Sequence, residues 1–423
     1  MSGAGRIAAV AVRRTCERLG PAYVKLGQLA SVRPDVFPAT LVFELEKLQD
    51  AVEPVRVDAI REVFREQFGA LPEELFATFD PEPLASASIA QVHRATLREE
   101  ARPAWGPTMP AGSEVVVKVV RPGAEASVAS DVARARSVLR VLARLGVPRR
   151  FDAHSLLDEF EASLARELDL RVEGRVADRF RFDFRDDPLV MVPRVAWSLT
   201  GRRVLTMERV DGWRLTEIDA ATLAGIDARA LAEHGATAFM RQVLVHGRYH
   251  ADLHPANVFV TRDGRIAYLD FGIVGTLGAS ERESVALLLA ALVYRDADRA
   301  LRASEALGVR VPDGASVALR RDLGELLDAK FGAGGSRDVR GFGMGFLKML
   351  GRHGVRIPAG YGLLVKSLVT VEGVARALYP DIDIVETSGP FVTRLLLRSA
   401  LRPDRLARRL PYALRAAARE IVA

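Results

Sequence analysis

The chain has 423 residues, 49% of them hydrophobic, which excludes a disordered polymer and allows two lobes with cores of their own. Its one cysteine, Cys16, excludes an intrachain disulfide framework and a thiolate zinc site, and suits a reducing, cytoplasmic setting. The net charge of +6 is concentrated in residues 391–423, which hold eight arginines and two acids, so a nucleic-acid-binding surface spread over the fold is excluded.

Residues 1–80 read as a helical extension. Its apolar stretch from Ile7 to Val12 stops at Arg13 and Arg14, so no signal peptide is expected. Gly20-Pro21 is a break, since Pro21 suits a first helical turn, and Ala22, Leu26 and Leu29 then recur at helical spacing. Further breaks fall at Arg33-Pro34-Asp35 and Glu53-Pro54. From about Asp80 the pattern changes: Ser88–Thr96 and Glu114–Val120 read as the strands of a hairpin. Between them lies an insertion, Glu99–Gly112, long for a hairpin loop and expected to be mobile. Ser155 to about Phe180 predicts one continuous helix, with Leu156, Phe160, Leu164, Leu168 and Val172 forming its buried stripe. Leu189–Val195 and Arg203–Met207 read as strands, and Glu208–Gly212 as a connector. The rest is mostly helical, except where Thr261-Arg262-Asp263-Gly264 turns between two short apolar runs. The longest strongly apolar uncharged stretch, Ser284–Tyr294, is about half of the ~20 residues a bilayer span needs, so no transmembrane segment is expected. Strands, a long helix, a hinge and a helical half predict an α+β, two-lobed, protein-kinase-like fold. Its parts are a helical extension (1–80), an N-lobe (81–207), a C-lobe (208–390) and a basic amphipathic tail (391–423).

The chemistry is concentrated in His250-Ala251-Asp252-Leu253-His254-Pro255-Ala256-Asn257, followed by Asp270-Phe271-Gly272. Asp252 and Asn257 have the spacing of a kinase catalytic loop, and a hairpin between Asn257 and Asp270 would bring the second acid back beside the asparagine. Asn257 and Asp270 supply hard oxygens of the kind magnesium takes, while Asp252 would orient or deprotonate an attacking hydroxyl. Lys118 ends Val115-Val116-Val117-Lys118. It reads as an edge-strand charge or, with Glu167, Asp169 and Glu173 downstream, as half of an ion pair that holds α- and β-phosphates. Where a kinase has a glycine-rich phosphate loop, this chain has Ala85-Ser86-Ala87-Ser88-Ile89-Ala90-Gln91-Val92, with alanine at the three glycine positions and hence an altered phosphate grip. Gly341-Phe342-Gly343-Met344-Gly345 reads as a flexible linker. His93 and His254 read as structural hydrogen-bonding groups.

Together these features resemble the UbiB/AarF family of atypical kinases. The likeness runs from about Gly20 to about Pro380 and includes Lys25-Leu26-Gly27-Gln28 for the family's K-x-G-Q motif, the alanine-rich loop, and Glu167-Leu168-Asp169 for its E-x-D motif. Ser86 and Ala256 depart from the pattern without changing a charge. The resemblance implies ATP or ADP and Mg2+ as ligands. The nucleotide-binding set is then Ala85, Ser86, Ala87, Ser88, Ile89, Ala90, Val92, Lys118, Glu173 and Glu208, and Asp252, Lys118, Asn257 and Asp270 are catalytic. Glu173 falls where the family's lysine-pairing glutamate lies. Lys25 and Gln28 are implied to face the active site near Glu167 and Asp169, their helix filling the space of a protein substrate; from periodicity alone, Lys25 either snorkels to water or meets an acid. The missing A-P-E segment after Asp270 argues for a small-molecule or lipid acceptor, or for ATPase action without phosphorylation of another protein, and with the missing glycine loop it argues against a conventional protein kinase; that the acceptor is an isoprenoid-quinone precursor or another lipid is implied by the resemblance. A non-catalytic nucleotide-binding scaffold for a membrane-associated biosynthetic complex is the alternative. The tail interleaves Leu395, Leu396, Leu397, Leu401, Leu406 and Leu410 with arginines, and either lies on anionic lipid or packs on the C-lobe.

Overall fold

The computed structural model describes residues 3–19, 21–31, 37, 39–45, 47–48, 52–144, 153–219, 222–223, 225–332, 339–355 and 357–400. The first half runs α1 (Gly3–Leu19), α2 (Pro21–Ser31), α3 (Ala39–Leu45), α4 (Val57–Phe68), α5 (Pro72–Leu75), β1 (Phe76–Ser86), β2 (Ala90–Leu97), β3 (Glu114–Val120), α6 (Ala124–Arg144), α7 (Ala153–Glu167) and α8 (Leu170–Asp183). Then come β4 (Val190–Met191), β5 (Val204–Glu208), β6 (Gly212–Arg214), α9 (Ala228–Arg241), β7 (Arg248–His250), β8 (Val258–Thr261), β9 (Ile266–Tyr268) and β10 (Val274–Thr276). The chain ends in α10 (Ala279–Val293), α11 (Ala297–Ala306), α12 (Ser316–Phe331), α13 (Val339–Arg352), α14 (Ala359–Leu378) and α15 (Ile384–Ala400). This is the mixed α+β, kinase-like arrangement, with the sheets in the N-terminal region and a mostly helical C-terminal part.

Two compact units are formed. The first comprises residues 1–227, 251–274 and 362–366. Its larger sheet is antiparallel in the order β1-β2-β3-β5, with Lys118 paired to Val92 on one side and Leu205 on the other. Alternation in β3 sends Val115, Val117 and Val119 into a core with Ile60, Val63 and Phe64 of α4, which leaves Lys118 on the opposite face. A second sheet, β4-β9-β8-β6, contains the expected hairpin β8–β9. Near the N-terminus, Val24, Leu45 and Leu48 cluster, and a Cβ on Gly27 would stand 3.3 Å from the Leu45 side chain of α3 and 2.3 Å from that of Leu48 beyond it, so glycine lets α2 pack closely on this segment.

The second unit comprises residues 228–250, 275–361 and 367–423. Here α9 and α10 pack with α15, α10 with α11, and α12 with α13. A Cβ on Gly275 would lie 2.1 Å from the buried Tyr249 ring, so only glycine fits.

Several sequence expectations are corrected. The helical reading of residues 1–80 ends early, because β1 starts at Phe76, whose ring meets Phe64 of α4 edge-on at 6.1 Å. The single helix over 155–180 is two, α7 and α8: Asp169 caps α8 by accepting from Arg171 N at 3.1 Å, and Leu170 N donates to Arg202 O at 2.8 Å instead of continuing α7. Leu164 and Leu168 are buried as predicted, Val172 is half-buried, and the side chains of Leu156 and Phe160 lie outside the described residues. The insertion is tied down. Ala101 bridges Met109, Arg194 donates to Thr108 O (3.1 Å), Trp105 donates to Asp178 O (3.3 Å), and the Arg181 guanidinium stacks 3.9 Å from the Trp105 ring. The glycine-alternating run 341–345 is no linker but part of α13, where Phe342 and Phe346 are buried and stacked and Gly345 brings the helix close to Leu326 of α12. The tail's first turns belong to α15, with Val392 buried and Arg394, Leu397 and Arg398 exposed, while 401–423 lie outside the described residues.

Candidate nucleotide site

Lys118 projects from β3 toward α8. Of the three downstream acids, Glu173 meets it, both carboxylate oxygens lying 2.8–2.9 Å from Nζ. Asp270 Oδ2 is 3.9 Å from the same ammonium. Burial alone would push the Lys118 pKa down, but Asp270 and Glu173, aided by Glu167, outweigh it and hold the ammonium protonated. Burial raises the Glu173 carboxyl above its ordinary value, and Asp270 and Glu167 reinforce that rise against the pull of Lys118. One ammonium thus faces three carboxylates, a surplus of negative charge at a place where Asp270 is half exposed.

The catalytic loop is built by short-range hydrogen bonds. His254 N donates to Asp252 O (2.8 Å), and Asn257 N donates to His254 O (2.8 Å). The His254 ring caps the turn Pro255–Asn257 by accepting from Ala256 N (3.2 Å). Asn257 Nδ2 donates to Asp252 O (3.3 Å), which leaves Oδ1 as the donor atom for a cation. Across the hairpin Leu269 N donates to Asn257 O (3.0 Å), and this returns Asp270 beside the asparagine. Asp270 has φ +53°, a left-handed conformation supported by its own Oδ1 accepting from Gly272 N at 3.1 Å. Phe271 is buried against Phe180 of α8, ring centroids 5.1 Å apart, so the helix that carries Glu173 also seats the D-F-G segment.

The alanine-rich turn joins β1 to β2. Ala85 and Ser86 end one strand, Ala90 and Val92 lie in the next, and Ala87 N donates to Ala90 O (2.8 Å) across the turn at Ser88 and Ile89. Among the described residues the only non-glycine positions with positive φ are Asp270 and Arg295, so the turn takes ordinary backbone angles that alanine adopts readily. Arg121, unmarked in the sequence reading although it follows β3 directly, donates to Ser86 Oγ and Ala87 O, each at 3.2 Å.

Other predicted residues are placed differently. Asp169 turns to Arg171, with bonds of 2.8 and 2.7 Å, and caps α8, whereas Glu167 lies near enough to Lys118 to act on its charge. Gln28 donates to Leu48 O (3.2 Å), and the side chain of Lys25 lies outside the described residues. Glu208 binds Arg194 through two bonds of 2.8 and 2.7 Å and stands apart from the lysine cluster in its pairing. Burial raises its pKa, but Arg194 outweighs that and holds it low. His93 is structural: Nδ1 bonds Asp80 O and Nε2 bonds Gln91 Nε2, both at 2.8 Å.

The model of the ABC1 atypical kinase-like domain matches residues 47–304, and that of the UbiB helical domain matches residues 344–383. The chain is 34% identical over 409 residues to a protein of Cellvibrio japonicus named "Probable protein kinase UbiB", covering 94% of this chain and 71% of that one. It is also 34% identical to the uncharacterized proteins slr1919 and sll0005 of Synechocystis, and spans 66% and 56% of their respective lengths. A solved structure, the complex of Rv3197 with erythromycin from Mycobacterium tuberculosis, shares the fold with TM-score 0.56 at 23% identity over 86% of this chain and 90% of that one. Kinase-type spacing at Asp252, Asn257 and Asp270, the Lys118–Glu173 pair and these matches have one reading: the chain belongs to the ABC1/UbiB family of atypical kinase-like proteins.

Proposed function

We propose that this chain binds ATP with magnesium and acts as an atypical kinase or ATPase on a small-molecule or lipid acceptor. The observation that carries the reading is the Lys118–Glu173 pair with Asp270 at 3.9 Å, because a half-buried ammonium beside a half-exposed acid fits phosphates bridged by a cation. The donor set fits magnesium, with Asp270 and Asn257 Oδ1 as protein oxygens and phosphate oxygens completing the shell. The ion would supply charge neutralisation on the phosphates. Lys118 holds the α- and β-phosphates, and Glu173 holds Lys118. Asp252 takes the proton of the acceptor hydroxyl as its oxygen bonds the γ-phosphorus; the bond from that phosphorus to the bridging oxygen breaks, and its electron pair leaves with ADP. For the acceptor we favour isoprenoid-quinone or lipid metabolism, which the UbiB name of several relatives supports.

Thermal shift with ATP and ADP, with and without magnesium, tests the reading. The expected result is a magnesium-dependent rise in Tm that Lys118→Ala abolishes. No shift in the wild type would overturn it. A nucleotide-binding scaffold is the second reading, favoured by the turn that Arg121 pins where a kinase has glycines. ATP turnover by the wild type, lost in Asp270→Asn, would exclude the scaffold.

Among the described residues no helix is long and apolar enough to cross a membrane. Peripheral lipid contact through the basic tail is part of the proposal, supported by the exposed Arg394, Leu397 and Arg398 of α15. Co-sedimentation with anionic vesicles should fall when 391–423 are removed; equal binding would sink the idea.

A further inference from the structure

Lys366 lies in α14, in a stretch with no motif around it. The segment 362–366 nonetheless belongs to the unit that contains the catalytic loop. Its neighbour Leu364 is buried, while Lys366 itself keeps 17% of its side chain exposed, with Nζ 3.8 Å from Asp252 Oδ1. The loop that bears Asp252 and Asn257 contains no lysine or arginine of its own, and Lys118 is engaged with Glu173 and Asp270.

An acceptor oxygen bonded to Asp252 lies next to the γ-phosphorus, so a cation beside Asp252 also lies beside the equatorial oxygens of that phosphoryl group. Phosphoryl transfer spreads negative charge over those oxygens, and a preorganised ammonium there stabilises it. The lysine's four-carbon stem lets it exchange the carboxylate for a phosphate oxygen without moving the helix. We propose that Lys366 is the cation that contacts the γ-phosphoryl group of bound ATP, while Lys118 serves the α- and β-phosphates. This rests on the nucleotide reading above. It brings a residue of the UbiB helical domain, matched over 344–383, into the phosphoryl site.

Affinity measured with two nucleotides separates this role from a structural one. Titration calorimetry on the full chain, with magnesium and either ADP or a non-hydrolysable ATP analogue, gives the ratio of the two dissociation constants. Lys366→Met should weaken the ATP analogue about tenfold or more, as expected for loss of a charged hydrogen bond, and leave ADP within about twofold. Lys366→Arg should restore most of the preference, and Lys366→Gln gives the same readout should the methionine variant fail to fold. An unchanged ratio in a wild type and variant that both bind nucleotide overturns the role of Lys366 and leaves the nucleotide site standing. A wild type that binds neither nucleotide overturns both.

Discussion

A lysine half-buried against a sheet keeps its charge most readily where acids surround it, and Lys118 has Glu173 at 2.8 Å with Asp270 beyond. Lys118→Met should lower stability by about 1.5–3 kcal/mol, since it leaves Glu173 and Asp270 facing each other without the ammonium in a largely buried place, and urea denaturation reads it directly. His93 shows the opposite case. Its ring is fully buried and stacks on Phe79 at 4.9 Å. Gln91 Oε1 accepts from Val55 N (3.0 Å), which turns the Gln91 amide nitrogen toward His93 Nε2 and requires that nitrogen to be an acceptor. Burial accordingly lowers the His93 pKa, outweighing the Asp80 carbonyl that favours the charged ring. The unfolded chain then binds more protons than the folded one between the lowered value and ~6.5, so this residue's contribution to stability falls as pH drops below ~6.5. The loss of stability between pH 7 and pH 5 should be smaller in His93→Gln than in the wild type, as compared by urea midpoints; equal losses would remove His93 as the cause. The residue types and local spacing at Asp252, Asn257 and Asp270 were legible without a structure because a short turn and a hairpin suffice to gather them. The choice of Glu173 over Glu167 and Asp169 was not settled by spacing, because it depends on where α8 begins.

That start is an event at the scale of elements. Apolar periodicity runs across Leu164, Leu168 and Val172 as though one helix continued. The capping carboxylate of Asp169 and the diversion of Leu170 N to Arg202 O break it instead, and rotate Glu173 toward β3. The insertion 101–109 then grips the far end of α8 through Trp105, Asp178 and Arg181. Trp105→Ala removes the cation–π contact and an indole hydrogen bond. Amide exchange should quicken over 99–112 and over the second half of α8, as measured by mass spectrometry; unchanged exchange in α8 would show that the insertion merely rests on the helix. The insertion read as loose from composition because its anchors lie on other elements. The glycine-rich stretch of α13 misled in the same way, since its glycines permit helix packing that no local window displays.

At the scale of the whole molecule, the residues of the candidate site come from distant parts of the chain yet share one compact unit: the turn 85–92, Lys118, Glu173, the segment 251–274 and Lys366. Magnesium with ATP should therefore slow amide exchange together over 85–92, 114–120, 251–274 and 362–366, while α12 and α13 in the second unit keep their rates. Slowing confined to 251–274 would count against a site shared across the unit. What the sequence by itself determined is the α+β kinase-like class, the strand that carries Lys118 and the spacing of Asp252, Asn257 and Asp270, because β alternation, turn residues and fixed spacing are properties of a few adjacent residues. Only the tertiary structure decided that Arg121 pins the alanine-rich turn, that Asp169 ends one helix and starts another, and that Lys366 reaches Asp252. Each of these rests on an ion pair or hydrogen bond whose geometry exists only once the surrounding elements have packed.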